Sequence, residues 1–258
     1  MTQPGYINQI ICTIQGEGNC IGQPVILIRF NGCNLNCLFC DSKYTWNRHI
    51  NPKSFPDIKT DIDTILAKYP NINNLMITGG EPFHQPELLE FIIDTYPLYD
   101  IQIETNGFNI HELDIIKKIS LYNIRLVISP KLQLNNYPNN ITSYDLINSF
   151  ENLYISLVDH KIKHIFKLVY CKELEQKILT VYHMLTLFKL YTDSTFWIMP
   201  LTPHYQDINF NNKYKQSCFD AINFCKEYGF NYSPRIHVDL FKFDNSETCN
   251  NKGDNNGK

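Results

Sequence analysis

Three cysteines fall within eight residues, Cys33-Asn-Leu-Asn-Cys37-Leu-Phe-Cys40, just after an apolar run at Val25–Phe30. Three thiolates so spaced can hold three irons of a four-iron cluster and leave the fourth open to a cofactor that accepts an electron directly. Zinc is the competing metal, although structural zinc normally closes its tetrahedron with a fourth ligand. His49 could supply one, yet nothing in its spacing recommends it. The other cysteines, Cys12, Cys20, Cys171, Cys218, Cys225 and Cys249, lack ligand-like spacing and read as small buried or incidental residues.

A second motif, Met76-Ile-Thr-Gly79-Gly80-Glu81-Pro82, follows another apolar run. Its glycines would let backbone approach a ligand closely, and a carbonyl or carboxylate there would offset an ammonium group. Taken alone, it is a turn. Arg29 interrupts the strand that precedes the cysteines and is one of four arginines in the chain. An unpaired buried guanidinium is costly, so Arg29 needs a partner. A substrate carboxylate would meet that need bidentately, and an internal carboxylate such as Glu17 would also meet it. Glu17 lies between Gly16 and Gly18, which suggests close backbone packing rather than a solvated loop. Glu104 ends a strand and serves equally as a ligand contact or a structural acceptor. His84 and His204 follow Pro-containing turns and read as surface or satisfied residues.

The cysteine spacing and the Gly-Gly-Glu motif resemble the radical S-adenosylmethionine (SAM) superfamily. More specific are Thr13-Ile14-Gln15-Gly16-Glu17-Gly18, Gly22-Gln-Pro24, Ile28-Arg29-Phe30, Gly32-Cys33-Asn34-Leu35 and Cys40-Asp41-Ser42. With Glu104-Thr105-Asn106-Gly107, Ser129-Pro130-Lys131 and Ser233-Pro234-Arg235-Ile236-His237, the chain resembles the 7-carboxy-7-deazaguanine synthases. The likeness is dense from about Tyr6 to Lys131 and thinner beyond.

The resemblance implies a lyase that converts 6-carboxy-5,6,7,8-tetrahydropterin to 7-carboxy-7-deazaguanine with loss of ammonia, on the route to 7-deazapurines such as queuosine. It implies a [4Fe-4S] cluster on Cys33, Cys37 and Cys40, with SAM, Mg2+, a homodimer and an electron donor such as flavodoxin or ferredoxin. By the same likeness Ile14, Gln15, Gly16 and Glu17 line a pterin pocket with Arg29, Thr78 and His237. Phe39, Cys40, Asp41, Gly80, Asn106, Ser129, Pro130 and Lys131 lie along SAM, and Ser42 ligates magnesium. The family generally carries Thr at the position of Ser42. Serine keeps the oxygen, and the alternative role for it is to cap the turn after the cysteine loop. Two other readings are a radical SAM activase acting on a glycyl-radical enzyme and a non-catalytic metal-binding module.

These residues need a scaffold. Apolar strands at Val25–Phe30, Leu75–Thr78, Ile101–Thr105, Arg125–Ser129, Phe166–Tyr170 and Phe196–Pro200 alternate with amphipathic stretches at Ile58–Tyr69, Glu87–Tyr96, Ile110–Ser120 and Glu173–Lys189. Such alternation predicts parallel strands with helical crossovers, an α/β chain of about six units. That is too few for a closed eight-stranded barrel, so an open partial barrel of the radical SAM type is expected. Residues 132–165 read as an insertion that opens with an Asn-rich loop. The catalytic domain is expected over residues 1–243, and 244–258 read as a polar, frayed tail. Hydrophobic residues at 43% exclude global disorder. A net charge of −3 gives no electrostatic case for nucleic acid or membrane partners, and no apolar run approaches a membrane span. A cytoplasmic location is the default expectation.

Overall fold

The computed structural model describes residues 4–47, 50–110, 114–132, 143–187, 196–203 and 207–241. His49, His204, Cys249, most of the Asn-rich loop and the 244–258 tail lie outside the described residues.

The strands are β1 (Gly5–Ile14), β2 (Pro24–Phe30), β3 (Pro52–Lys53), β4 (Asn74–Gly79), β5 (Asp100–Thr105), β6 (Ile124–Ile128), β7 (Lys163–Tyr170), β8 (Phe196–Pro200) and β9 (Asn231–Tyr232). The helices are α1 (Phe55–Lys68), α2 (Pro86–Thr95), α3 (Ile115–Ile119), α4 (Ser143–Asp159), α5 (Glu175–Leu187), α6 (Phe210–Tyr228) and α7 (Ile236–Phe241). They build one open sheet in the order β3-β1-β2-β4-β5-β6-β7-β8-β9. From β2 onward every neighbour is parallel, whereas β1 runs antiparallel to both β2 and β3. The helices α1 to α6 fall in turn between consecutive parallel strands, which gives the six expected units.

Helix α4 corrects the expectation of an insertion over 132–165. It occupies the crossover from β6 to β7, and Phe150, Leu153, Tyr154 and Leu157 recur at helical spacing and are buried. With β7 it forms a regular helix–strand unit of the fold. Strands β1, β3 and β9 are additions to the expected set. β1 is hard to read in sequence because most of the strand is only partly buried and its apolar pattern is broken by Asn8, Gln9 and Thr13.

Alternation along the strands separates two environments. One face carries Ile26, Ile28 and Phe30 on β2, Leu75 and Ile77 on β4, Ile103 on β5, Leu168 on β7 and Ile198 on β8, all in the main core. On α2, Leu88, Leu89, Ile92 and Ile93 complete this layer with at most 2% exposure. Each such side chain contributes roughly 1.5–3 kcal/mol before chain entropy is counted. The opposite face carries Leu27, Arg29, Met76, Thr78, Glu104, Lys167 and Met199, which look into the lumen of the partial barrel. Polar side chains on these strands are therefore the ones that can meet a ligand. Among the described residues no helix is long and apolar enough to cross a membrane.

Candidate active site

The lumen is a cavity of about 950 Å³. The three cysteines stand on its wall, in the loop after β2. That loop is pinned at its base, where Gly32 N donates to Thr45 O at 2.6 Å and Glu81 N donates to Gly32 O at 2.8 Å. Burial pushes the Cys33 thiol up to about 12, and the Glu81 carboxylate adds to the effect. Holding thiolates there calls for a neighbouring cationic charge of the kind iron supplies. Among the described residues no three His, Cys, Asp or Glu side chains converge on the position of one ion. A cluster does not ask for that, because each thiolate binds a different iron.

The Gly-Gly-Glu motif plays a structural part not foreseen from the sequence. A Cβ on Gly79, whose φ is 137°, would lie 2.2 Å from Phe30 O, and one on Gly80 would lie 1.9 Å from Gly32 O. The glycines are thus demanded by backbone crossing backbone at the end of β4. Glu81 is 1% exposed. Its carboxylate accepts from Asn106 N at 2.7 Å, Thr105 Oγ1 at 2.7 Å and Phe83 N at 3.2 Å, so it buttresses the turn after β5. Burial raises its pKa despite those donors. From that turn Asn106 Nδ2 donates to Asn34 Oδ1 in the cysteine loop at 2.8 Å.

The expected SAM residues Phe39, Cys40, Asp41, Gly80, Asn106, Ser129 and Lys131 all reach the cavity wall. Pro130 does not; it is buried beside the wall. Lys131 Nζ donates to Ser129 Oγ at 2.9 Å.

Of the residues expected around a pterin, Gln15, Glu17, Arg29, Thr78 and His237 line the cavity, whereas Ile14 and Gly16 do not. Ile14 and Gly16 act one step back. Ile14 O bonds His237 Nε2 at 3.0 Å, Gly16 O accepts from Ile236 N at 3.0 Å, and a Cβ on Gly16 would lie 2.1 Å from His237 Nδ1. Burial keeps His237 below its ordinary pKa, which favours the neutral ring.

Glu17 is paired with two cations, and neither is Arg29. Lys167 Nζ lies 2.7 Å from Glu17 Oε2 and 2.7 Å from Glu104 Oε2, and Arg235 Nε lies 2.9 Å from Glu17 Oε1. Burial alone would raise the Glu17 pKa, but Lys167 and Arg235 hold its carboxyl well below the carboxylate range. Arg235 continues to Thr202 Oγ1 and, at 2.5 Å, to Asp41 Oδ2. Glu104 also accepts from Gln15 Nε2 at 3.2 Å and Gln102 Nε2 at 2.7 Å, so its structural role is real.

Arg29 Nε, by contrast, is buried with no hydrogen-bond partner among the described residues. The internal ion pair with Glu17 therefore does not form. Ser42 does not cap its turn through its side chain: its carbonyl accepts from Thr45 N at 2.9 Å, and its hydroxyl donates to Asp41 Oδ1 at 3.0 Å.

The sequence assigns no role to Lys167, nor to Arg235 although it lies in the Ser233–His237 motif. Lys167 carried a usable signal, since one cation in the apolar strand His164-Ile-Phe-Lys167-Leu-Val-Tyr170 repeats the anomaly at Arg29.

An open parallel β/α sheet whose lumen carries three cysteines defines the radical SAM class, and residues 27–133 match the family model "Radical SAM superfamily". Within that class, the chain is 32% identical over 180 residues to a 7-carboxy-7-deazaguanine synthase of Buchnera aphidicola subsp. Schizaphis graminum, covering 61% of this chain and 78% of that one. It is 42% identical over 114 residues to the synthase of Rickettsia prowazekii, over 39% of this chain and 43% of the relative. The chain belongs to the 7-carboxy-7-deazaguanine synthase family. Its aligned part spans less than half the length of several curated relatives. The crystal structure of QueE from Escherichia coli shares the fold, with a TM-score of 0.53 and 19% identity over 89% of this chain and 93% of that one. The activase and metal-module readings find no counterpart in these relatives.

Proposed function

We propose that this chain converts 6-carboxy-5,6,7,8-tetrahydropterin to 7-carboxy-7-deazaguanine with release of ammonia. The observation that carries the reading is Arg29, whose buried Nε has no hydrogen-bond partner among the described residues, set in a cavity whose wall also bears the three cysteines. A substrate carboxylate supplies the missing charge and can accept two parallel hydrogen bonds.

When bound, the [4Fe-4S] cluster and SAM supply one-electron reduction and hydrogen-atom abstraction. Cys33, Cys37 and Cys40 hold the cluster, and Phe39, Asp41, Gly80, Asn106, Ser129 and Lys131 shape the SAM side of the cavity. Pro130 sets the backbone between the last two. Arg29 fixes the carboxylate end of the pterin, while Gln15, Glu17, Thr78 and the neutral ring of His237 face the rest of it. Glu17, Lys167 and Glu104 are joined by short ion pairs, which set how these groups face a ligand. Burial of this layer shields reactive species from water.

Magnesium belongs at Ser42, which lines the cavity and whose hydroxyl donates to Asp41 Oδ1 at 3.0 Å. One neutral oxygen is a poor magnesium site alone, so substrate oxygens and waters complete the shell. The enzyme works with an external one-electron donor such as flavodoxin or ferredoxin, and as a homodimer.

The decisive experiment is anaerobic reconstitution with iron and sulfide, followed by incubation with SAM, reductant and the carboxypterin. Formation of 7-carboxy-7-deazaguanine and ammonia is expected. SAM cleavage without any change in the pterin would overturn the substrate assignment.

A further inference from the structure

The segment Ser233–His237 lies after β9 and is stitched to the β1–β2 loop. Gly18 N donates to Ser233 Oγ at 2.8 Å, Ile236 N to Gly16 O at 3.0 Å, and the His237 ring meets Ile14 O at 3.0 Å. These contacts tie the segment to the β1–β2 loop, and Arg235 extends from it to the cysteine loop on the far wall of the cavity. Its guanidinium spans Glu17 in the β1–β2 loop and Asp41 directly after Cys40, and a third nitrogen holds Thr202 after β8. The three nitrogens are therefore committed to three different parts of the chain, and the side chain is 13% exposed.

We propose that Arg235 is a positioning residue that couples SAM binding to pterin binding. This rests on the functional reading above. The geometry supplies the reason. Pterin packed against Glu17 fixes one end of the guanidinium, and SAM packed against Asp41 fixes the other. A planar fork presents three separate nitrogens to Glu17, Thr202 and Asp41 at fixed spacing and so transmits that restraint, whereas the single nitrogen of a lysine cannot reproduce the spread. Each ligand then removes part of the ordering that the other would have had to impose, which is positive coupling and must be reciprocal.

The test measures SAM affinity of the cluster-loaded protein with and without saturating carboxypterin. In the wild type pterin tightens SAM binding by about fivefold or more, and SAM tightens pterin binding by the same factor. Arg235→Lys and Asp41→Asn each bring the factor close to one. Asp41→Asn also weakens SAM on its own, but the ratio with and without pterin is unaffected by that loss. In Arg235→Lys more SAM is cleaved per molecule of product than in the wild type, because cleavage no longer waits for a seated substrate.

Cluster absorbance and the melting temperature report whether each variant is folded. Should Arg235→Lys fail to load a cluster, Asp41→Asn still decides the matter. A coupling factor unchanged in the folded variants, or equal to one in the wild type, overturns the proposal. Failure of the wild type to convert the pterin at all would instead overturn the functional reading.

Discussion

Lys167→Met tests whether the buried charge chain is a structural necessity of the site. The side chain is 5% exposed, and its ammonium lies 2.7 Å from each of two carboxylates that are themselves 17% and 15% exposed. Methionine keeps most of the volume, so the cavity term is small and the effect is electrostatic. After the change Glu17 retains Arg235 at 2.9 Å, and Glu104 retains only the amides of Gln15 and Gln102. Removing one partner of a buried pair typically costs about 3–5 kcal/mol. For a chain of this size each kcal/mol moves Tm by roughly 2–4 °C, so a fall of about 6–20 °C is expected.

The pH dependence gives a second signature. In the wild type the Glu17 pKa is depressed, so its stabilisation is present above the ordinary value of 4.5 and is lost as pH falls below it. Between pH 5 and 8 that contribution is flat. In Lys167→Met, Glu17 keeps Arg235 but loses Lys167, the stronger of its two cations, while burial still favours its protonated form, so the folded chain takes up protons at higher pH than before. Burial that carries this uptake past the ordinary value of 4.5 makes stability fall as pH rises from 5 to 8. Thermal melts followed by far-UV circular dichroism across that range read both quantities. A Tm loss below 2 °C with no pH slope would refute the reasoning.

Cys33→Ala, Cys37→Ala and Cys40→Ala should each abolish the four-iron absorbance and SAM cleavage after anaerobic reconstitution, while Cys218→Ala and Cys225→Ala load a cluster normally; a redox-active cluster in Cys37→Ala would contradict the ligand set. Arg29→Lys should weaken carboxypterin binding by about 2 kcal/mol or more, roughly 30-fold, with SAM affinity and cluster content intact by titration calorimetry and absorbance. Gly16→Ala places a methyl within 2.1 Å of His237 Nδ1, so the imidazole must swing away. Its KM for pterin should rise with little change in Tm, and an unchanged KM would remove His237 from the substrate side.

Much of this protein was legible without its structure because the informative features are local. Cysteine spacing follows from how a loop presents thiolates to adjacent irons, and six of the parallel strands show as short apolar runs because one face packs on the core and the other lines the lumen with few charges. An arginine inside such a run signals its need for a partner by composition alone. What the sequence could not decide was which partner, because that depends on residues far apart in the chain. Glu17 pairs with Lys167, 150 positions on, and with Arg235, 218 positions on, and Arg29 Nε is left without a partner among the described residues. The same holds for Gly79 and Gly80, which sequence assigns to ligand approach and packing assigns to the backbone of Phe30 and Gly32. Helix α4 was missed for a related reason, since the Asn-rich stretch before it masked a regular crossover whose apolar stripe is recognisable only once β6 and β7 are known to be neighbours. Local chemistry is written in spacing, whereas charge pairing and backbone contact are fixed only when the sheet brings distant strands side by side.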